Sequence, residues 1–296
     1  MTWLVWATIS YFFNAIAIVT DKALLRRQGL QNPALYTFFI ACLGLLVLVL
    51  APWGLLWPTG KVLVWGLVSG FGFTLGLWLM FMVLEHGEAS RVPAFIGSLN
   101  PLFVYLLSWF ALGERLLNKD LWAFGLLVVG GLIMVGGHGG LKRKYFWLAI
   151  ISSLAFGVAY VFLKLSFTES NFISGLIWSR VGGFIASLGL LLVPGTIKAL
   201  KASSVSSGGS RWALVGGQTI AAIGGLLNSY AITLASVTLV NALQGVQYVF
   251  LLIMAILISS YYPNLFKDEF NKGVIWRKIV GTVVIVAGLW LLSVAG

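Results

Sequence analysis

Charge is what this sequence has least of. Only 9% of its 296 residues are Asp, Glu, Lys or Arg, and just 8 are acidic. A soluble domain carries roughly 25% charged residues. A chain that is 60% hydrophobic could not cover a water-facing surface with so few, so the solvent that fits it is lipid. Cysteine is scarcer still: Cys42 stands alone in an apolar run, which excludes a disulfide framework. With 2 histidines in the chain no Cys/His cluster forms, and no metal site is expected. There is no Gly-x4-Gly-Lys-Ser/Thr loop, which excludes a built-in P-loop ATPase, and no cofactor is expected. The N-terminus lacks a basic n-region and an A-x-A-like site, so residues 3–20 read as a first span and not as a cleaved signal.

What the chain does have is long apolar runs, and its charges and prolines punctuate them. Span 1 is Trp3 to Thr20, closed by Asp21, Lys22, Arg26 and Arg27. Span 2 runs from Ala34 to Leu50, span 3 from Val62 to Leu84, span 4 from Val92 to Leu112 and span 5 from Leu121 to Val135. The basic trio Lys142-Arg143-Lys144 follows. Span 6 is Phe146 to Leu163 and span 7 is Phe172 to Val193, before a Ser/Gly-rich loop at Ala202 to Ser210. From Trp212 to Phe266 no residue is charged. That is too long for one span of about 20 residues, so it divides near Leu234-Ala235-Ser236 into spans 8 and 9. Span 10 is Ile279 to Val294. Runs of this kind lack the alternation of barrel strands, so the spans are helices. The expected fold is all-α and polytopic, with ten transmembrane helices.

The two halves resemble each other. Tyr11, Ala15 and Lys22 fall opposite Ser153, Gly157 and Lys164 at one constant offset. Val92-Pro93-Ala94-Phe95-Ile96-Gly97 falls opposite Val240-Asn241-Ala242-Leu243-Gln244-Gly245. Residues 1–140 and 141–296 are therefore expected to form two five-helix repeats. An odd number of helices per repeat makes tandem copies face opposite ways, as in many secondary transporters, with a site near the midplane between them.

Two five-helix halves resemble the drug/metabolite transporter superfamily, in particular its EamA-type exporters. The residues that carry the resemblance are Glu88-Ala89-Ser90-Arg91-Val92-Pro93-Ala94, Leu99-Asn100-Pro101-Leu102-Phe103, Leu112-Gly113-Glu114-Arg115 and the glycine-rich run from Gly125 to Val135. They look like the family's fourth and fifth helices. In the second half Tyr261-Tyr262 stands where Gly-Glu would be, followed by a charged insert from Pro263 to Asn271. The resemblance implies a pseudo-twofold fold with a central cavity lined by helices 1, 3, 4, 6, 8 and 9. It implies export or exchange of amino acids, nucleotide-related metabolites, sugars or drugs, without choosing among them.

Polar residues inside the spans are the candidate substrate-binding set. On span 9, Asn241, Gln244, Gln247 and Tyr248 occupy about a 120-degree arc of a continuous helix. Polar groups on one face are costly against lipid, so they face protein or a water-filled cavity. Interhelical hydrogen bonding is the plainer reading, and four such groups exceed what it needs. Span 8 adds Gln218, Asn228 and Ser229; span 3 adds Thr74, Trp78 and Phe81; span 1 adds Tyr11 and Asn14; span 6 adds Ser153 and Tyr160. For the aromatic residues ordinary packing is an equal alternative. Asn100 and Pro101 either free a backbone carbonyl or simply kink span 4. Arg180 is the charge placed well inside a span. It reads either as a partner for a substrate carboxylate or phosphate, or as a snorkelling side chain. Lys22 and Lys164 are expected to snorkel, and Glu114 to cap helix packing or pair with Arg115 or Lys119. Spans so bounded hold no interior Asp or Glu, which favours facilitated diffusion or exchange over proton coupling.

The net charge of +11 would point to nucleic acid in a soluble protein. Here the basic residues sit in short loops, so orientation and anionic lipid headgroups account for them, and no nucleic-acid partner is expected. Aromatic content of 14%, with 13 tryptophans, suits interfacial belts. Loops after the odd-numbered spans hold 14 Lys and Arg; those after the even-numbered spans hold Lys61, Arg115, Lys119 and Lys164. The positive-inside rule puts the first set in the cytoplasm and both termini outside a cytoplasmic membrane; the family resemblance implies the reverse. Four functions fit the pattern to different degrees. The leading one is a transporter of a small organic solute by alternating access. A flippase for a lipid-linked or headgroup-bearing substrate shares the fold. A membrane enzyme would need an acid–base pair or metal ligands within spans, which are absent from the sequence, and a scaffold would close its polar stripes by helix contacts.

Overall fold

In the structure, a computed structural model, residues 2–25, 32–86, 91–135, 143–202, 208–258 and 272–295 are described. No strand occurs among them. The helices are α1 (Thr2–Leu25), α2 (Pro33–Gly44) continued by a 3₁₀ segment η1 (Leu45–Trp53), α3 (Gly60–His86), α4 (Arg91–Ala111) and α5 (Asn118–Val135). Then follow α6 (Arg143–Glu169), α7 (Phe172–Leu190), the short α8 (Thr196–Ala202), α9 (Gly208–Leu234), α10 (Val237–Ala242), α11 (Gln244–Ile258) and α12 (Lys272–Ala295). Seven stretches are long and apolar enough to cross a membrane, and Phe95–Ala111 is a shorter apolar helix. The protein is an all-helical, multi-pass membrane protein.

Side-chain placement agrees with lipid outside. Phe110 (72% exposed), Trp122 (74%) and Trp290 (66%) face outward with many aliphatic residues, an apolar surface far larger than a soluble monomer tolerates. Small residues let the helices close on one another where lipid supplies no hydrophobic drive. Gly130 of α5 and Gly281 of α12 meet face to face: a Cβ on either would lie within about 3 Å of the other's carbonyl oxygen.

Two serine hydroxyls stitch the bundle in matching ways. Ser10 Oγ on α1 donates to Gly224 O on α9, and Ser152 Oγ on α6 donates to Gly76 O on α3, both at 2.8 Å. The serines are separated by the same number of residues as Tyr11 and Ser153, and the glycines by the same number as Val92 and Val240. Likewise α2 and α7 both start on an asparagine whose side chain accepts from a backbone N–H: Asn32 from Leu35 and Asn171 from Ser174.

The spans differ from expectation in three places. Span 2 is not one α-helix, because it tightens to 3₁₀ after Gly44 ahead of Pro52. Span 9 is broken at Leu243: Tyr11 donates to the Val240 carbonyl at 2.9 Å, taking an acceptor that a continuing helix would use. The arc drawn through Asn241, Gln244, Gln247 and Tyr248 is thus not one helical face. The Ser/Gly-rich loop is shortened by α8 on one side and α9 on the other. Spans 8 and 9 part at Ala235 and Ser236, and the Ser236 hydroxyl caps α10 by accepting from Leu239 N. Tyr261-Tyr262, the insert up to Asn271 and Glu88-Ala89-Ser90 lie outside the described residues.

Candidate functional site

Helix alternation sets the geometry. Helix order sets the C-terminal ends of α1, α3, α5, α7 and α11 on one side with the N-terminal ends of α2, α4, α6, α9 and α12, and the sequence between these ends holds most of the Lys and Arg. On the opposite face η1, α3 and α7 are sewn together. Gly54 O accepts from Asn171 Nδ2 (2.8 Å), and Ser174 Oγ accepts from Leu56 N (2.8 Å). Trp57 packs edge-on against Trp178, and Lys61 pairs with Glu169 at 3.6 Å. Deeper in, the Ser69 and Ser179 hydroxyls share a hydrogen bond (2.9 Å) and Thr74 Oγ1 donates to Gly183 O (3.0 Å). Gly70 makes this approach possible, since any Cβ there would overlap the backbone at Ser179 and Gly183.

Beside this seam, between α2, α3 and α7, lies a small, partly open cleft. Arg180 lines it, eight residues into α7. Its guanidinium stands 5.1 Å from the centre of the Phe73 ring, and its head lies against Gly225 of α9 while its stem passes Gly44 of α2. Tyr160 of α6 is within electrostatic range. The side chain thus points into the bundle and does not snorkel. Among the described residues no carboxylate pairs with it. Thr74 lines the same cleft, whereas Trp78 is half-buried and stands outside the lining. The cleft draws on helices 2 and 7, which the expected lining by helices 1, 3, 4, 6, 8 and 9 left out. Nothing in the sequence marked Ile40, Ala41 or Gly44 for this role, because each is apolar or small.

The other expected residues divide into those already satisfied and those with an open group. Tyr11 is committed to Val240 O, Asn241 Nδ2 to Val237 O in its own helix (2.8 Å), and Tyr248 OH to Pro93 O (3.4 Å). Asn14 donates to Ser10 Oγ at 3.4 Å. Asn100 Nδ2 donates to Ser153 O at 3.0 Å, yet its Oδ1 is buried without a partner. The same holds for Asn228 Oδ1 and Gln244 Oε1. Gln247 is buried at 4% exposure.

Two clusters went unseen in the sequence. Asp21 was expected to close span 1, but α1 runs on past it. Its Oδ1 accepts from both Tyr36 OH of α2 and Gln218 Nε2 of α9 (2.9 Å). A carboxylate therefore does stand inside the bundle, against the expectation of none. At the opposite face Gly113, in a left-handed conformation (φ 67°), turns the chain out of α4 and aims Glu114 at α10. Glu114 accepts from Val237 N (3.1 Å), Ser236 Oγ (3.0 Å) and Thr238 Oγ1 (2.9 Å). Lys164 Nζ donates to Ile232 O (2.6 Å) and Ala235 O (2.9 Å). The corner between α9 and α10 is thus held by a cation on α9's carbonyl end and an anion on α10's N–H end, each matching the helix dipole. Lys164 does not snorkel, and Glu114 pairs with the α10 start in place of Arg115 or Lys119. The Lys22 side chain lies outside the described set.

Comparison with known proteins agrees with this architecture. Residues 1–136 match the sequence profile of the EamA-like transporter family. A solved crystal structure superposes with a TM-score of 0.69 at 18% identity, covering 98% of this chain and 96% of that one, a likeness of fold. No curated protein matches the chain in sequence.

Proposed function

We propose, on the match of residues 1–136 to the EamA-like transporter family, that the chain is a member of the drug/metabolite transporter superfamily and a secondary transporter of a small organic metabolite of amino-acid size. It works by alternating access between two inverted five-helix repeats, residues 1–140 and 141–296, in a cytoplasmic membrane with the basic face inside. The matched serine–glycine hydrogen bonds support the repeat. The stitched η1–α3–α7 face supports a state closed on the side opposite the basic one.

One observation carries the reading. Asn100, Asn228 and Gln244 each bury an amide oxygen without a partner, and the Arg180 guanidinium, which no carboxylate pairs among the described residues, stands against the Phe73 ring. These groups come from four different helices, α4, α9, α11 and α7. A buried polar group left unmet costs about 1–3 kcal/mol, so glue between helices does not explain the three amide oxygens. A solute or water that enters between the halves does. The test is solute exchange by the purified protein in liposomes. Asn228→Leu and Gln244→Leu are expected to abolish exchange while the protein still elutes as a folded, monodisperse species. Undiminished exchange by both variants would remove this site from consideration.

A further inference from the structure

We infer that the cleft at Arg180 selects a monoanionic organic acid with an apolar body, one that carries a carboxylate and no ammonium group. This rests on the transport reading above and names its substrate class.

The hydrogen-bonding inventory of the cleft leads there. Three hydroxyls line it, and each is already engaged: Thr37 Oγ1 donates to Pro33 O (2.8 Å), Thr74 to Gly183 O, and Ser179 is bonded to Ser69. The guanidinium is the donor left over. It is planar, permanently charged, and shaped to grip two oxygens of one oxyanion. Gly44 and Gly225 border it closely: a Cβ at either would stand at ordinary contact distance, 3.6 Å from Cδ and 3.5 Å from Nη2. Phe73 covers one side of the head as a cation–π partner and does not neutralise it.

Counting charges narrows the ligand further. Arg180 is the one cation among the described lining residues, so a second negative charge would go unmatched, which disfavours a phosphate monoester dianion. No carboxylate lines the cleft, so the ammonium of an amino acid would go unmatched as well. The rest of the lining is Ile40, Phe73, Leu77 and small residues, a surface for an aliphatic or aromatic body. The enclosed room is small, about 30 Å³, enough for the carboxylate head, so the body of the ligand extends towards the open side of the cleft. A lipid phosphodiester is also monoanionic; the enclosed, mostly glycine-flanked head position favours a small free acid over a headgroup with two acyl chains attached.

The experiment is thermal melting of the purified full-length protein in a neutral detergent. Phenylacetate and 3-methylbutanoate are compared with phenylacetamide, 3-methylbutan-1-ol, phenylalanine, phenyl phosphate and phosphatidylglycerol. A ligand bound only by the folded state raises Tm with concentration. The two acids are expected to raise Tm, and the amide, alcohol, amino acid and phosphate to do so weakly or not at all. Arg180→Gln should shift the half-saturating acid concentration upward at least about tenfold, as loss of a charge-assisted hydrogen bond implies. Arg180→Lys should keep the preference for acid over amide at reduced affinity, and decides the matter if the glutamine variant does not fold. Equal stabilisation by acid and amide overturns the inference and leaves the transport reading standing. So does unchanged acid binding by Arg180→Gln, or a response to phosphatidylglycerol alone. Silence from every compound also overturns it, and solute exchange in liposomes then judges the transport reading separately.

Discussion

The seam between α3 and α7 and the seam between α9 and α2 occupy matching places in the two proposed repeats, yet they are held by different chemistry. Offsets carry Ser69, Gly70 and Thr74 of α3 onto Gly217, Gln218 and Ala222 of α9, and carry Ile40, Ala41 and Gly44 of α2 onto Ser179, Arg180 and Gly183 of α7. The first seam holds a serine pair, a threonine-to-carbonyl bond and a glycine crossing. At the matching positions of the second stand residues that cannot copy these bonds. What remains there is Gln218, tied to Asp21 and Tyr36. The difference is therefore written into side-chain chemistry as well as into the conformation captured. A perfectly symmetric pair of seams would open and close with equal ease on both faces. Here hydroxyls and a glycine crossing hold one seam, and a latch centred on Asp21 holds the other.

The sharpest way to break the comparison is to deny the first seam its crossing. Gly70→Leu puts a branched side chain where even a Cβ meets the backbone of Ser179 and Gly183. Overpacking of this kind costs about 1–3 kcal/mol or more. The expected result is loss of exchange activity together with a marked fall in Tm. Gln218→Leu, at the matching position, should leave the α3–α7 closure intact. If Gly70→Leu melts and transports like the parent, α3 and α7 do not pack as described.

A smaller effect is expected from unpicking the stitches without adding bulk. Thr74→Val keeps the shape and removes one interhelical hydrogen bond, worth about 0.6 kcal/mol in a membrane. With Ser69→Ala the two losses amount to roughly a sevenfold shift towards opening on that face. Spin labels placed across the face and read by pulsed dipolar spectroscopy should report a larger open fraction. An unchanged distance distribution would mean that these hydroxyls do not hold the closure.

How much of this could be read from residues alone depends on whether the cause was local. The apolar helices, the division at Ala235-Ser236 and the all-helical fold follow from runs of apolar residues and their interruptions, which are local signals. Arg180, Asn100, Asn228 and Gln244 were visible because a polar residue in an apolar run is costly wherever it points. The break at Leu243 was invisible, since it depends on a tyrosine far away in sequence taking the Val240 carbonyl. Helix 2 as a wall of the cleft was invisible for a different reason. Ile40, Ala41 and Gly44 gain meaning only from the arginine they surround, and a small residue facing a ligand looks like one facing another helix. Asp21 was misjudged because a charge at the end of an apolar run normally marks the end of the buried helix, and here α1 carries it on between α2 and α9.

The smallest expected effect belongs to Asp21→Asn, and it separates two roles for the latch of the second seam. Both donors, Tyr36 OH and Gln218 Nε2, end on the same oxygen of Asp21. An asparagine amide oxygen can take that place, so both bonds can persist and only the charge is lost. A charge-assisted hydrogen bond is roughly twice as strong as a neutral one, so Asp21→Asn should loosen the seam slightly, with transport lowered about twofold to threefold. Asp21→Leu strands Tyr36 and Gln218 without an acceptor and should cost more, about 1–3 kcal/mol of seam stability. Exchange rates and melting curves of the two variants, measured together, decide it. The graded outcome means that Asp21 works as a hydrogen-bond acceptor joining α1, α2 and α9. Equal and complete loss of exchange in both, with Tm intact in the asparagine variant, would instead make the charge itself part of the transport cycle.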